Sequence, residues 1–416
     1  METDYTARKT PGAGLKDTEA QIDMARLRGY RLGRVQAGLR ERDYGACVLA
    51  DPINVRYATG SRNMTVWLLH NATRYVFIPA EGKAVLFEFP RCAHLSEGLE
   101  TIGEVRPVTG WYYFGGGENV DDLAKKWAAE IAELMTGQCG GNRRLAVDRA
   151  NFQGTHALEA LGVELFDGQE VLEQARVIKS ADEIACMSVA ISICEAGMAR
   201  MREALEPGIS ENALWAILHQ TNIAHGGEWI ETRLLASGGR TNPWFQECGE
   251  RMIRAGDLVA FDTDLIGAFG YCADISRTYF CAPGKPSDEQ RRLYAHAHNE
   301  VQHNVELLRP GMSFREFADK AWAVADEFRA QCYSVIAHGV GMCDEWPAVL
   351  YSHEWEEKGG YDGVFEPGMT VCIESYTGAV GGAEGVKLEE QVLITEDGAQ
   401  RLSTFPYEDA LLEQTI

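Results

Sequence analysis

Paired cysteines, an excess of basic charge and long apolar runs are all missing from this sequence. Its eleven cysteines are scattered singly with no CxxC pair. The odd count in so long a chain argues against a disulfide scaffold, so reduced and mostly buried thiols in a cytoplasm are expected. Basic residues number 39 against 62 acidic ones, a formal net charge of −23. A nucleic-acid binder needs a basic face, and an anionic membrane would repel such a chain, so neither partner is expected. No apolar run approaches the roughly 18 residues of a spanning helix. Met1-Glu2-Thr3-Asp4-Tyr5 lacks the basic region and apolar stretch of a signal peptide. No repeat or low-complexity segment is evident.

What is present is the composition of a folded protein. The 416 residues are 45% hydrophobic and 9% aromatic, enough for two or three domains. Residues 1–24 are polar and contain Pro11, Gly12 and Gly14, which suggests an irregular arm. Residues 25–170 then alternate strand and helix patterns. Leu27, Leu32, Val35 and Leu39 share a helical face, and strands are expected at Ala46–Ala50, Thr65–Leu69, Tyr75–Ile78, Ala84–Phe89 and Leu145–Val147. Asp51-Pro52 reads as a turn. This is the pattern of a small α/β domain. A linker-like helix over Val171–Val177 leads into residues 171–416, read as α+β with antiparallel strands. There Ser180 with Glu183 and Ser313 with Glu316 form capping-box patterns, the first for a helix to about Glu203 and the second for one running towards Arg329.

Carboxylates in apolar strands carry the chemistry. Leu258–Thr263 reads as a buried strand, yet it runs into Asp262 and Asp264, and a hairpin through Gly267 and Gly270 could bring Asp274 alongside. Three clustered carboxylates repel one another unless a cation neutralises them. The alternative is an Asp-rich turn in water. His338 lies between apolar residues, where a satisfied core histidine is the commoner outcome. Glu374 and Glu389 sit in strand-like segments, where a solvated face is the bland reading and burial without a partner is costly. Together Asp, Asp, His, Glu and Glu make a donor set for Mn, Fe, Co or Zn in two adjacent sites.

The order Asp264, Asp274, His338, Glu374, Glu389 resembles the dinuclear metal set of the pita-bread family, which holds creatinase, methionine aminopeptidase and the Xaa-Pro peptidases. Asp51-Pro52-Ile53-Asn54-Val55-Arg56-Tyr57-Ala58-Thr59-Gly60 is similar to the start of a creatinase-type N-terminal domain. Arg176–Ile184, Gly270–Thr278 and Pro367-Gly368-Met369 resemble segments of the catalytic domain. The implied fold is an α+β pita-bread catalytic domain preceded by a smaller α/β creatinase-type domain. Asp274 stands 274 − 262 = 12 positions from Asp262 and 274 − 264 = 10 from Asp264. The family spacing falls between, so either aspartate or both would bind metal.

Two departures bear on activity. Family peptidases carry an auxiliary histidine where this chain has Asp344 in Asp344-Glu345-Trp346-Pro347, and a second near Asn242-Pro243-Trp244, where none occurs. A metal cage that keeps its ligands but changes its proton-handling groups implies different chemistry. The Asp-x-Asp pair, Asp344 and nearby aromatics (Trp244, Tyr333, Trp346, Tyr376) resemble the dimethylsulfoniopropionate-cleaving members of the family. That resemblance implies β-elimination from a zwitterionic sulfonium, with Asp344 as base and Tyr333 and Trp346 at the substrate. It further implies a divalent metal pair, iron first and Mn, Co, Ni or Zn otherwise, in a cytoplasmic homodimer. From the residues alone, Asp344 beside Glu345 is expected to have a raised pKa, with an N-cap or solvated turn before Pro347 as its bland reading; a core tyrosine and a packing tryptophan are those of Tyr333 and Trp346. The alternatives are an Xaa-Pro-type peptidase or creatinase-like C–N hydrolase, for which His353 is a further histidine to weigh, and a non-catalytic binding protein, which would be expected to lose its metal ligands.

Overall fold

The computed structural model describes residues 22–412, and the expected N-terminal arm lies almost wholly outside them. The chain divides into two compact units, Asp23–Arg176 and a second unit comprising Ile22 and the residues from Val177 onward.

The first unit is built on a six-stranded mixed sheet. Its strands are β1 (Ala46–Leu49), β2 (Tyr75–Pro79), β3 (Ala84–Glu88), β4 (Ile102–Pro107), β5 (Arg144–Val147) and β6 (Glu164–Asp167), in the order β4-β3-β2-β1-β5-β6. Strands β1, β2 and β3 read as continuous buried runs because every residue in them is covered. Trp111 stacks on Trp127 at 3.9 Å over this core.

Three local expectations change. Asp51-Pro52 begins a helix, Pro52–Thr59, rather than a turn: the Asp51 carboxylate accepts from the Ile53 and Asn54 amides and Pro52 takes the first turn, where a missing N–H costs nothing. Thr65–Leu68 is a single helical turn, not a strand. Met64 enters it at φ 39°, and Val66 is 54% exposed, so the run has no sheet to join. The helix Gly168–Arg176, expected to link the halves, packs into the first unit. Val171, Leu172 and Ala175 are buried, and Arg34 in helix Met24–Glu41 donates to the Gln174 and Ala175 carbonyls.

The second unit is α+β, and every strand pairing among its described residues is antiparallel. Strands β7 (Trp229–Ile230), β10 (Leu265–Ile266) and β11 (Cys272–Ala273) form one small sheet. Strands β8 (Leu235–Ser237), β9 (Leu258–Phe261) and β12 (Arg277–Phe280) form another. A five-stranded sheet follows in the order β14-β13-β15-β16-β17, from β13 (Ala337–Val340), β14 (Asp344–Val349), β15 (Thr370–Thr377), β16 (Val386–Thr395) and β17 (Gly398–Arg401). Thr278 on β12 bonds both backbone groups of Lys387 on β16, so these two sheets meet.

The capping box of Ser180 and Glu183 is formed, and it opens helix Ala181–Ala204, worth about 1 kcal/mol. This helix is long and apolar enough for a membrane by composition, but 56% of its most apolar window is buried within the protein. The helix after Ser313 stops at Lys320, well short of Arg329. Ala321 turns extended, and the Trp322 amide donates to the Asn304 side chain instead of to a helical carbonyl. All eleven cysteines are free thiols.

Candidate metal centre

Strand β9 is wholly buried and delivers Asp262 into the interior. It does not continue straight. Asp264 adopts φ 34°, a left-handed conformation that aspartate tolerates better than most side chains, and the chain then turns into β10. The expected hairpin pairs β10 with β11, with Leu265 opposite Ala273. Thr263 locks it by donating to the Ala273 carbonyl at 2.8 Å and accepting from the Ile275 amide at 2.9 Å. As a result Asp262, Asp264 and Asp274 each place an oxygen within 4.8 Å of the others. The kink gathers them, not the same-face alternation of one strand.

The remaining donors come from the large sheet. Glu374 on β15 stands directly opposite Glu389 on β16. His338 on β13 aims Nε2 at both, 3.1 Å from Glu374 Oε1 and 3.6 Å from Glu389 Oε1, with Asp274 Oδ2 at 3.5 Å. Its Nδ1 lies 3.0 Å from the Gly339 carbonyl. A donor bond there puts the ring proton on Nδ1 and leaves the Nε2 lone pair for a cation. The six side chains expected as metal ligands therefore converge, Asp262 and Asp264 both among them.

Lys387 was not legible as a site residue. Its ammonium, 0% exposed, pairs with Glu374, with Asp262 Oδ2 at 3.1 Å and with Glu389 Oε2 at 3.4 Å, and donates to Ser276 Oγ at 2.7 Å. Lysine in an alternating strand normally reads as a solvated face; only the tertiary fold reveals the partners. Cys372 was also missed as a donor, although its sulfur falls in the Asp274–His338–Glu389 group.

A divalent pair fits these residues. Five buried carboxylates and one lysine leave 5 − 1 = 4 negative charges, which two divalent cations balance. Asp274 Oδ1 and Glu389 Oε1 are buried without a hydrogen-bond partner, as expected of atoms awaiting a cation. Burial and the neighbouring Glu389 push the Glu374 carboxyl up to about 8. Asp274 is driven well above the carboxylate range by burial and then by Glu389 and Asp264. Burial alone would lower the His338 pKa, but Asp344, Glu374 and Glu389 together raise it well above an ordinary imidazole.

Asp344 begins edge strand β14. A Cβ at Gly339 would collide with the Trp346 carbonyl, and the β-bulge between His338 and Gly339 exploits that close approach. Asp344 Oδ1 thereby lies 3.8 Å from His338 Nδ1, with half its side chain exposed. Its pKa is raised by desolvation and by Glu389, against the pull of His338. The expected contribution of Glu345 is absent, because Glu345 is buried in an ion pair with Lys179.

The aromatics divide. Tyr333 packs with the cluster of Trp244, Ala260 and Tyr376, and the Lys387 ammonium lies 4.4 Å from its ring centroid. Trp346 is half-buried and packs on the edge of a hydrophobic core, against Phe314 and Tyr361. His353 joins Cys332 and Glu354, not the carboxylate cage.

Residues 185–396 match the model of metallopeptidase family M24, and residues 31–178 match the creatinase/prolidase N-terminal domain. The chain is 43% identical over 395 residues to "Dimethylsulfoniopropionate lyase DddP" of Roseovarius nubinhibens, covering 94% of this chain and 88% of that protein. A protein of the same name from Roseobacter denitrificans is 41% identical with the same coverage. The solved Xaa-Pro dipeptidase of Bacillus anthracis superposes with a TM-score of 0.73 at 22% identity, covering 92% of this chain and 99% of that one, and shares the fold. The cage, the two matched domains and the near full-length similarity agree: the chain belongs to metallopeptidase family M24, with a pita-bread catalytic domain behind a creatinase/prolidase N-terminal domain.

Proposed function

We propose that this protein is a metal-dependent dimethylsulfoniopropionate lyase. The observation that carries the reading is the similarity to two lyases over 94% of the chain; Asp344 at the rim of an intact cage supplies the chemistry. In the reaction a base removes the proton on the carbon next to the carboxylate, those electrons form the C=C bond, and the C–S bond breaks. The products are dimethyl sulfide, acrylate and a proton on the base.

Asp262, Asp264, Asp274, His338, Glu374 and Glu389 would hold the metal pair, iron being our first assignment. Such cations supply positive charge that anchors a carboxylate and acidifies the adjacent C–H. Asp344 takes the proton, from a half-exposed position that a small substrate can reach. Tyr333 positions the substrate; Phe245, 58% exposed, stacks on Tyr333 at 5.5 Å and offers an aromatic face to the sulfonium. Free thiols and the acidic charge support a cytoplasmic setting. A homodimer is part of the same proposal, with exposed Tyr113, Phe114 and Phe152 offering apolar surface.

The test is headspace dimethyl sulfide from metal-loaded protein given dimethylsulfoniopropionate. Release that depends on metal supports the reading. Its absence from fully loaded protein overturns it and returns attention to Xaa-Pro peptides.

A further inference from the structure

Outside the cage, one group of side chains has the composition of a different kind of metal site. Cys332, His353 and Glu354 each bring a ligand atom within 4.8 Å of the other two. Cys332 Sγ and His353 Nε2 are 3.9 Å apart. Zinc–sulfur and zinc–nitrogen bonds at a tetrahedral angle place those atoms about 3.5 Å apart, so closing this gap needs only a small movement.

Two of the three donors rest against neighbours of their own. One oxygen of Glu354 accepts from Lys358 at 2.8 Å, and the other is buried with no hydrogen-bond partner. The ring of His353 rests against Tyr351 at 5.5 Å, and the Tyr351 hydroxyl is fixed to Glu300 at 3.0 Å. The ion-paired Glu354 has the kind of outer partner that ligating carboxylates carry in built metal sites. Burial pushes the Cys332 thiol up to about 12, with Glu354 and Glu300 adding to it, so its proton is retained until a cation compensates the thiolate.

We propose that Cys332, His353 and Glu354 form a second, peripheral site for a thiophilic divalent cation, with Zn²⁺ as the occupant. The donors are one thiolate, one imidazole and one carboxylate, softer than the five carboxylates and one imidazole of the cage, and three protein ligands leave one position for water. On binding, the cation takes the sulfur lone pair and the thiol proton leaves to solvent. The ion ties the segment before β13 to the one after β14. Cys332 directly precedes Tyr333, so occupancy also restrains that tyrosine.

The experiment titrates Cd²⁺, as a spectroscopic stand-in for Zn²⁺, into protein whose cage is already loaded. One additional equivalent should bind, with a thiolate-to-cadmium charge-transfer band that added Zn²⁺ removes. Cys332→Ser should abolish the band. His353→Ala, at an exposed position where folding is not at stake, should weaken binding at least tenfold, and Glu354→Gln should weaken it less. Cys343→Ser should leave it unchanged. A band that persists in Cys332→Ser, or loaded protein that takes up no extra cadmium, overturns the site. Neither result depends on which substrate the cage acts upon.

Discussion

Glu374 and Glu389 face each other directly across the β15–β16 ladder, and both are essentially unexposed. Like charges in that position destabilise a sheet, yet here they share one lysine. The Lys387 ammonium takes the inner oxygens, while the outer oxygens look towards His338. The cage thus carries its own cation, and its walls are oriented before any metal arrives.

Lys387→Met should destabilise the metal-free protein by about 3–5 kcal/mol, the cost of leaving buried charges uncompensated. Urea unfolding measures this. Lys387→Arg should recover part of the loss, and equal stability of the methionine variant and wild type would refute the role.

Asp344→Asn should reduce dimethyl sulfide release by about 10²–10⁴-fold, the usual worth of a positioned base. Metal content, read by elemental analysis, should stay unchanged because Asp344 lies outside the carboxylate cage. Loss of metal together with activity would make it a ligand instead.

Asp262→Asn and Asp264→Asn should each lower metal content below two equivalents. The structure places both with Asp274, so a variant that kept full occupancy would remove that aspartate from the set.

Glu300, which belongs to neither group of candidate ligands, provides a pH test. Burial raises its carboxyl from 4.5 to about 7, against the lowering effect of bonds from Ser375 and Tyr351. The folded state therefore binds a proton that the unfolded state releases. The contribution is fully present below pH 4.5 and lost as pH rises through 7, amounting to about 3 kcal/mol. Denaturation midpoints across that range should fall more steeply for wild type than for Glu300→Gln; parallel slopes would contradict the assignment.

Much of the cage was legible because carboxylates in apolar strands are costly and therefore informative. Glu374 beside Cys372 and Ile373, and the aspartates that follow the apolar run Leu258–Phe261, stood out in this way, whereas Glu389, followed by Glu390 and Gln391, was weak on its own and was singled out by the family resemblance. What stayed hidden depended on distant parts of the chain. Lys387 is explained by Asp262 and Ser276 on other elements, and the φ of Asp264 cannot be read from alternation. The Thr65–Leu68 turn shows the same limit, since β-branched residues make a strand only where a neighbour can pair with them.

Asp344 sits on the outermost strand of its sheet, whereas the donors on β15 and β16 lie inside it. Replacing a half-exposed edge residue typically changes stability by no more than about 0.5 kcal/mol; replacing an inner donor dismantles the cage. The architecture separates what must be kept from what is free to vary. On the proposed reading of Asp344, a lineage could exchange its proton-handling residue, and with it the bond it cleaves, while inheriting the metal-binding interior intact.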